Sequence, residues 1–282
     1  MMMLNFSGLK CPLPAIMGVI NTSPDSFFRP ALNKESALRQ AETMVSEGVA
    51  IIDVGGQATN PQINLENSTP SLNQELDRVL PVIEAIADRF EVLISVDTIQ
   101  PVVMREAVAV GAGMINDQCA LSEPGALEAA AKLNVPVCLM HRFNPSRIPK
   151  HKSLEPVLFE VLQDLSRTVA RCEEAGLLRQ NLIIDPGFGQ GHFRKSIEEN
   201  YYLLANLQRF TTLGLPLLVG WSRKTMIGDI LKLPADDCLS GSLAAALIAA
   251  MQGTAVIRTH DVKETAQAIK IFQATRRYKD FH

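Results

Sequence analysis

Short apolar runs recur along the whole chain, separated by amphipathic stretches. The runs are IMGVIN (16–21), AIIDVGG (50–56), VLISVD (92–97), GMIND (113–117), VPVCLMH (135–141), NLIIDPG (181–187), LPLLVGWS (215–222) and AVIRTHD (255–261). Most are too brief for helices, and they are rich in Val, Ile and Leu, as strands covered on both faces of a parallel sheet should be. Between them, ESALRQAETMVSEG sets Leu38, Ala41, Met44 and Val45 at helical spacing and reaches a stop at Gly48. QPVVMREAVAVG, EPGALEAAAKLN, SRTVARCEEAG, ENYYLLANLQRF, CLSGSLAAALIAAMQG and DVKETAQAIKIFQAT repeat the pattern. Pro81, inside QELDRVLPVIEAIADRF, predicts a kink or a break.

Eight strands alternating with helices in about 250 residues indicate an α/β protein with a parallel sheet, and a closed (β/α)8 TIM barrel fits the count. An open doubly wound sheet is the alternative, weakened because no G-x-G-x-x-G follows the first strand. Composition does not shift along the chain, so residues 1–282 are read as one barrel domain. Two connections are too long and polar for simple turns: TSPDSFFRPALNK after the first strand and QATNPQINLENSTPSLN after the second. In a barrel both would lie on the carboxyl face, and loops of this length tend to carry function.

Composition narrows the partners. Hydrophobic residues make up 47% and charged residues 20%, the balance of a globular protein, and a net charge of −3 gives no pull toward nucleic acid or an anionic membrane. The longest apolar stretch, SLAAALIAAM, is too short to span a bilayer, and the N-terminus lacks the apolar core of a signal peptide. Cys11, Cys119, Cys138, Cys172 and Cys238 form no C-x-x-C pair, which points away from zinc and disulfides and toward reduced thiols in the cytoplasm.

Polar residues close the apolar runs. Asn21, Asp97, Asn116 with Asp117, His141 and Asp185 end five of them; Ser222, Arg223 and Lys224 follow the seventh, and Arg258 and His260 lie in the eighth. Any one of these has a plain alternative as a helix N-cap. Asp53 could simply bond neighbouring backbone, and Asp117 and His141 could point into structure. As a set they indicate a pocket at the carboxyl ends of the strands, with an acidic floor and a basic rim. Carboxylates and an amide suit a flat heterocycle presenting N–H donors, with a carboxylate on a guanidine-like edge; Arg, His and Lys suit a phosphate or diphosphate.

The motifs MGVINTSPDSF, IIDVGGQAT, ISVDT, INDQ, LMH, IIDPGFG, LVGWSRKTMIG and IRTHDVKET, in this order, resemble the dihydropteroate synthase family over nearly the whole chain. The resemblance implies a (β/α)8 barrel that joins 6-hydroxymethyl-7,8-dihydropterin diphosphate to p-aminobenzoate, giving dihydropteroate and pyrophosphate in folate biosynthesis. It implies that Asp97, Asn116 and Asp185 bind the pterin, Asp185 on its guanidine-like edge, with Lys224 reaching toward the ring; Lys224, Asp97 and Asp185 form the catalytic set. Arg258 and His260 would grip the diphosphate, Thr59 would belong to a loop closing over it, and Asn21 would help hold Mg²⁺. A homodimer is implied as well.

Departures from the family pattern are grouped. FRPALN replaces a small, acidic, glycine-containing loop, and QATNPQ replaces Glu-Ser-Thr-Arg-Pro-Gly, so that Asn60 stands where an arginine is usual. RFN replaces M-Q-G after the fifth strand, and DPGFGQGH replaces Asp-Pro-Gly-Phe-Gly-Phe-Gly-Lys, placing Gln190 at an aromatic position; Trp221 adds bulk near the same entrance. Arg29 or Arg142 is a candidate replacement for the loop arginine. Two other readings stand beside the synthase: a paralogue that binds pterin with weak or no synthase activity, and a pterin-dependent methyltransferase. The retained SRK and R-T-H cations argue against full loss of activity in such a paralogue, and the diphosphate grip with the SRK segment disfavours the methyltransferase.

Overall fold

The computed structural model describes residues 3–6, 9–24, 30, 31, 33–57, 69–149, 152–276 and 278. An antiparallel hairpin, β1 (Met3–Phe6) and β2 (Leu9–Pro12), precedes the main sheet. The sequence reading gave no element there. Eight parallel strands follow: β3 (Ala15–Asn21), β4 (Ile51–Gly55), β5 (Leu93–Asp97), β6 (Met114–Asp117), β7 (Val137–Met140), β8 (Leu182–Asp185), β9 (Leu218–Gly220) and β10 (Val256–Thr259). Their hydrogen-bonded order is β8-β7-β6-β5-β4-β3-β10-β9. A single bridge, Ile184 to Leu217, joins the two ends and closes the barrel. The fold is the (β/α)8 barrel that the apolar runs predict.

Helices α1 (Lys34–Ser46), α2 (Leu72–Ala87), α3 (Pro101–Ala109), α4 (Ala126–Leu133), α5 (Glu155–Glu174), α6 (Ile197–Ala205), α7 (Thr225–Leu231), α8 (Leu239–Met251) and α9 (Val262–Arg276) connect the strands. Capping boxes start α1, α2 and α6, where Asn33, Ser71 and Ser196 each accept the backbone N–H three residues on. Gly48, at φ +90°, follows the end of α1 as expected. Of the kink or break expected at Pro81, the break does not occur: α2 runs through it. Pro81 and Asp77 both lie on the exposed face, so the Asp77 carbonyl left without its helical donor can turn to water.

Strand periodicity sorts the side chains into two layers. Ile16, Ile20, Ile52, Val54, Ile94 and Val96 face the helices in the main core. Met17, Ile51, Met114, Cys138, Ile183, Leu218 and Val256 fill the barrel interior. Both faces are therefore apolar, which is why the strands read as unbroken runs. Two residues beyond each interior position the same parity points inward again. That rule places Val19, Asp53, Asn116, Asp185, Gly220 and Arg258 above the apolar plug, at the carboxyl mouth. Asp97, four residues past Leu93, joins them.

Candidate active site

The mouth opens into a cavity of about 630 Å³, lined among others by Asn21, Asp97, Gln118, Lys224, Arg258 and His260. Asp53 and Asn116 lie beneath it, wholly buried, and Asp185 is 3% exposed. Neighbouring strands fix the register: Asp97 pairs with Asn116 across β5 and β6, and Met140 with Asp185 across β7 and β8.

Arg258 is not on the rim. Its Nε donates to Asp53 Oδ2 at 2.7 Å and its Nη2 to Asp97 Oδ2 at 2.9 Å, so it lies between the two floor carboxylates. Asn116 Nδ2 donates to the same Asp53 oxygen at 3.0 Å, and Gln118 Nε2 to Asp97 Oδ1 at 2.8 Å. The division into acidic floor and basic rim gives way to interleaved charges, because a buried carboxylate pair is costly without a cation between its members. Burial, then the charge of Asp53, push the Asp97 carboxyl up to about 7 against the pull of Arg258 and Gln118. Asp53, for which backbone bonding was the plain alternative, bonds side chains of β10 and β6, each two strands away, instead. Its Oδ1, Asn116 Oδ1 and Ser95 Oγ are buried with no hydrogen-bond partner among the described residues.

Asp185 stands opposite. Its Oδ1 accepts the Gly187 N–H at 2.7 Å. Burial raises its pKa, and Lys224 and that N–H oppose the rise. Gly187 has φ +69°, and a Cβ there would lie 1.8 Å from the His141 carbonyl oxygen, so the turn after β8 requires glycine. Lys224 donates to the Phe188 carbonyl in the same turn, and burial lowers its pKa to about 8.

The residue before it, Arg223, is committed to structure. Nε and Nη2 grip Asp261 at 2.9 and 2.7 Å, and Nη1 reaches the carbonyls of Ala235 and Asp236. This clamp sets Lys224 at the start of α7. His260 Nδ1 lies 3.1 Å from Ser222 Oγ. Asn21 ends β3 at the cavity wall, half-buried. Asp117 caps backbone, accepting from Cys119 and Leu121, and His141 bonds Asp164 and Lys195; both take the structural option. Trp221 is not at the entrance: it is 2% exposed and packs against Phe188 and Tyr201 behind β9. Gln190 does line the cavity, and its Oε1 accepts from Thr225 Oγ1 at 2.7 Å. Thr59, Arg29 and Asn60 lie outside the described residues.

Lys195 escapes a sequence reading altogether. It is 2% exposed, donates to the Gly187 carbonyl at 2.8 Å, and lies 3.1 Å from His141 Nδ1. No periodicity marks it; the only signal is a lysine shortly after DPGFG. Burial lowers its pKa from 10.5 to about 7. The unfolded chain therefore binds more protons above pH 7, and stability rises with pH there. The urea midpoint is expected to increase between about pH 7 and pH 8, below the usual thiol pKa of about 8.5, and to increase less in Lys195→Met. An equal increase in the variant would clear Lys195 of the effect.

Among the described residues no cluster of three or more His, Cys, Asp or Glu could hold a metal. Mg²⁺ commonly takes one or two protein oxygens and completes its shell with water and substrate phosphates. The side-chain oxygen of Asn21, at the wall of an otherwise cation-rich cavity, fits that minimal role.

A (β/α)8 barrel with buried acids and a lysine at its carboxyl mouth is the arrangement of a small-molecule enzyme. The chain matches the pterin binding enzyme family over residues 17–260 and belongs to it. It is 48% identical to dihydropteroate synthase of Escherichia coli K12 over 270 residues, 95% of this chain and 93% of that protein. A solved dihydropteroate synthase of Coxiella burnetii in complex with pteroic acid aligns at a TM-score of 0.90 and 49% identity, covering 97% of this chain and 98% of that one. One of Xanthomonas albilineans with 4-aminobenzoic acid aligns at 0.87 and 40%, covering 97% and 98%.

Proposed function

We propose that this chain is a dihydropteroate synthase, a transferase of folate biosynthesis that condenses 6-hydroxymethyl-7,8-dihydropterin diphosphate with p-aminobenzoate. One observation carries the reading: acceptors for an N–H-rich ring stand together beneath a cavity that also presents cations. Among the described residues Asn116 Oδ1 and Asp53 Oδ1 have no hydrogen-bond partner, and Asp185 has one oxygen tied to Gly187 and the other without a hydrogen bond. Asp97 and Asp185 accept from the ring, Asp185 on its guanidine-like edge, and Asn116 completes the seat. Kinship with synthases over 95% of the chain supports the same activity.

The ring directs its methylene toward Lys224, Arg258 and His260. The methylene–oxygen bond breaks, its electron pair leaves with the diphosphate, and the electron-rich pterin spreads the positive charge left behind. Lys224 and His260 stabilise the departing anion as its charge develops. The aniline nitrogen then forms the new carbon–nitrogen bond and releases a proton. Gln190, Phe193 and Thr225 wall the cavity on the side open to the second substrate. Mg²⁺, when bound with the diphosphate, supplies further charge neutralisation, with Asn21 as its protein ligand.

Ile248 and Met251 on α8 and Ile271 on α9 are exposed apolar side chains that suit a homodimer contact. The buried free thiols Cys119, Cys138, Cys172 and Cys238 suit the reducing cytoplasm, and among the described residues no helix is long and apolar enough to cross a membrane. The deciding assay mixes purified protein, Mg²⁺, the pterin diphosphate and p-aminobenzoate. Pyrophosphate release that requires p-aminobenzoate is expected. Pterin binding without release would instead identify a binding paralogue.

A further inference from the structure

The charges at the floor are saturated by one another. Arg258 presents two donors of its planar fork to two carboxylates, Nε to Asp53 and Nη2 to Asp97. That fork is an N–C–N group with outward N–H donors, the same pattern that the amino-pyrimidinone edge of a pterin presents. Asp53 and Arg258 are 205 residues apart in sequence, on β4 and β10, and the contact reaches over the one strand between them, β3. Both oxygens of Asp97 are engaged, one by Arg258 and one by Gln118. Among the described residues, buried Asp53 Oδ1 and Asn116 Oδ1 lack donors, as they would in a seat shaped for a ligand but filled by a smaller substitute.

We propose that Asp53 is a positioning residue that docks the Arg258 guanidinium in the ring seat of the free enzyme, where it stands in for the pterin edge until the ring displaces it toward the diphosphate. The inference rests on the pterin reading of the site and deepens it. A carboxylate pair this buried cannot lose its counter-ion without replacement. The entering ring returns N–H donors to the floor, and the diphosphate gives the released cation a new anion. A ligand with both ends satisfies every group. A ring without the diphosphate leaves Arg258 with no anion to meet, and so binds under a penalty set by the docked population.

The test measures binding of 6-hydroxymethyl-7,8-dihydropterin and of its diphosphate to the whole protein by calorimetry. Asp53→Asn keeps an acceptor for Asn116 and Arg258 but removes the charge that holds the guanidinium. It is expected to bind the hydroxymethyl compound about three- to tenfold more tightly than wild type, a sign that damage to a scaffold would not give. Arg258→Met is expected to bind that compound no more weakly than wild type and the diphosphate about tenfold more weakly. Loosening of the hydroxymethyl compound by Asp53→Asn, or equal loss of both ligands in Arg258→Met, would overturn the docking role. If Asp53→Asn fails to fold, Arg258→Lys takes its place: its ammonium cannot bridge both acids as a fork, so tighter binding of the hydroxymethyl compound is again expected, and weaker binding again counts against the proposal. Wild type that binds neither ligand refutes the pterin reading itself. Wild type that binds both, with looser variants, refutes docking alone.

Discussion

Replacing Asp185 by alanine is expected to weaken pterin binding by about two to three orders of magnitude, equivalent to roughly 3–4 kcal/mol. The carboxylate is buried at the end of β8, and its Oδ1 holds the Gly187 N–H. Truncation removes the acceptor for the ring's guanidine-like edge. It also strands that N–H and deprives Lys224 of the carboxylate that does most to hold its charge. A partly buried cation left without its counter-charge adds to the loss of the contact itself. Asp185→Asn keeps the shape and an acceptor for Gly187, so its loss is expected to be smaller, about tenfold to a hundredfold. Titration calorimetry with the hydroxymethyl pterin reads both. Unchanged affinity in the alanine variant would mean that the ring sits elsewhere.

Lys224→Met should lower kcat by about a hundredfold, the usual scale for removing one preorganised positive group from a developing anion, while the KM for p-aminobenzoate changes little. Lys224 is held between the Arg223–Asp261 clamp and the Phe188 carbonyl, so its ammonium meets the reacting centre with little freedom left to lose. The protonated form is the active one, and its pKa is lowered to about 8 by burial. Wild-type kcat is therefore expected to fall as pH rises through about 8, and the methionine variant to lack that limb. Steady-state rates from pH 6.5 to about 9.5 decide it. A variant within threefold of wild type, with the same alkaline limb, would remove Lys224 from the chemistry.

The barrel was legible because its strands are apolar on both faces. Val, Ile and Leu at every position of 16–20 or 51–54 except Gly18, Asp53 and one methionine leave little else for the segment to be. Asp97, Asn116 and Asp185 stood out because each ends such a run, where only a functional mouth or a cap accepts a polar group. The charge pairing was not legible. The contact of Asp53 with Arg258 depends on β10 pairing with β3 beside β4, and no local pattern encodes a partner two hundred residues away. Lys195 was invisible for a related reason: its burial follows from the fold of the long segment after DPGFG, which has no period to read. Pro81 does not end α2, and the Asp77 carbonyl that it leaves without a helical donor is on the exposed face. Trp221 misled through parity, since it is one residue past the end of β9 and its side chain joins the helical shell, not the mouth.

The sheet is stitched by continuous ladders everywhere except between β8 and β9, where the lone Ile184–Leu217 bridge does the joining. Asp185 rises from one stave of that junction and Lys224 follows the other. A molecule held jointly by the two becomes a rivet through the slackest joint of the cask. Occupancy should then be felt less as a change of shape than as slower breathing of the amides on either side.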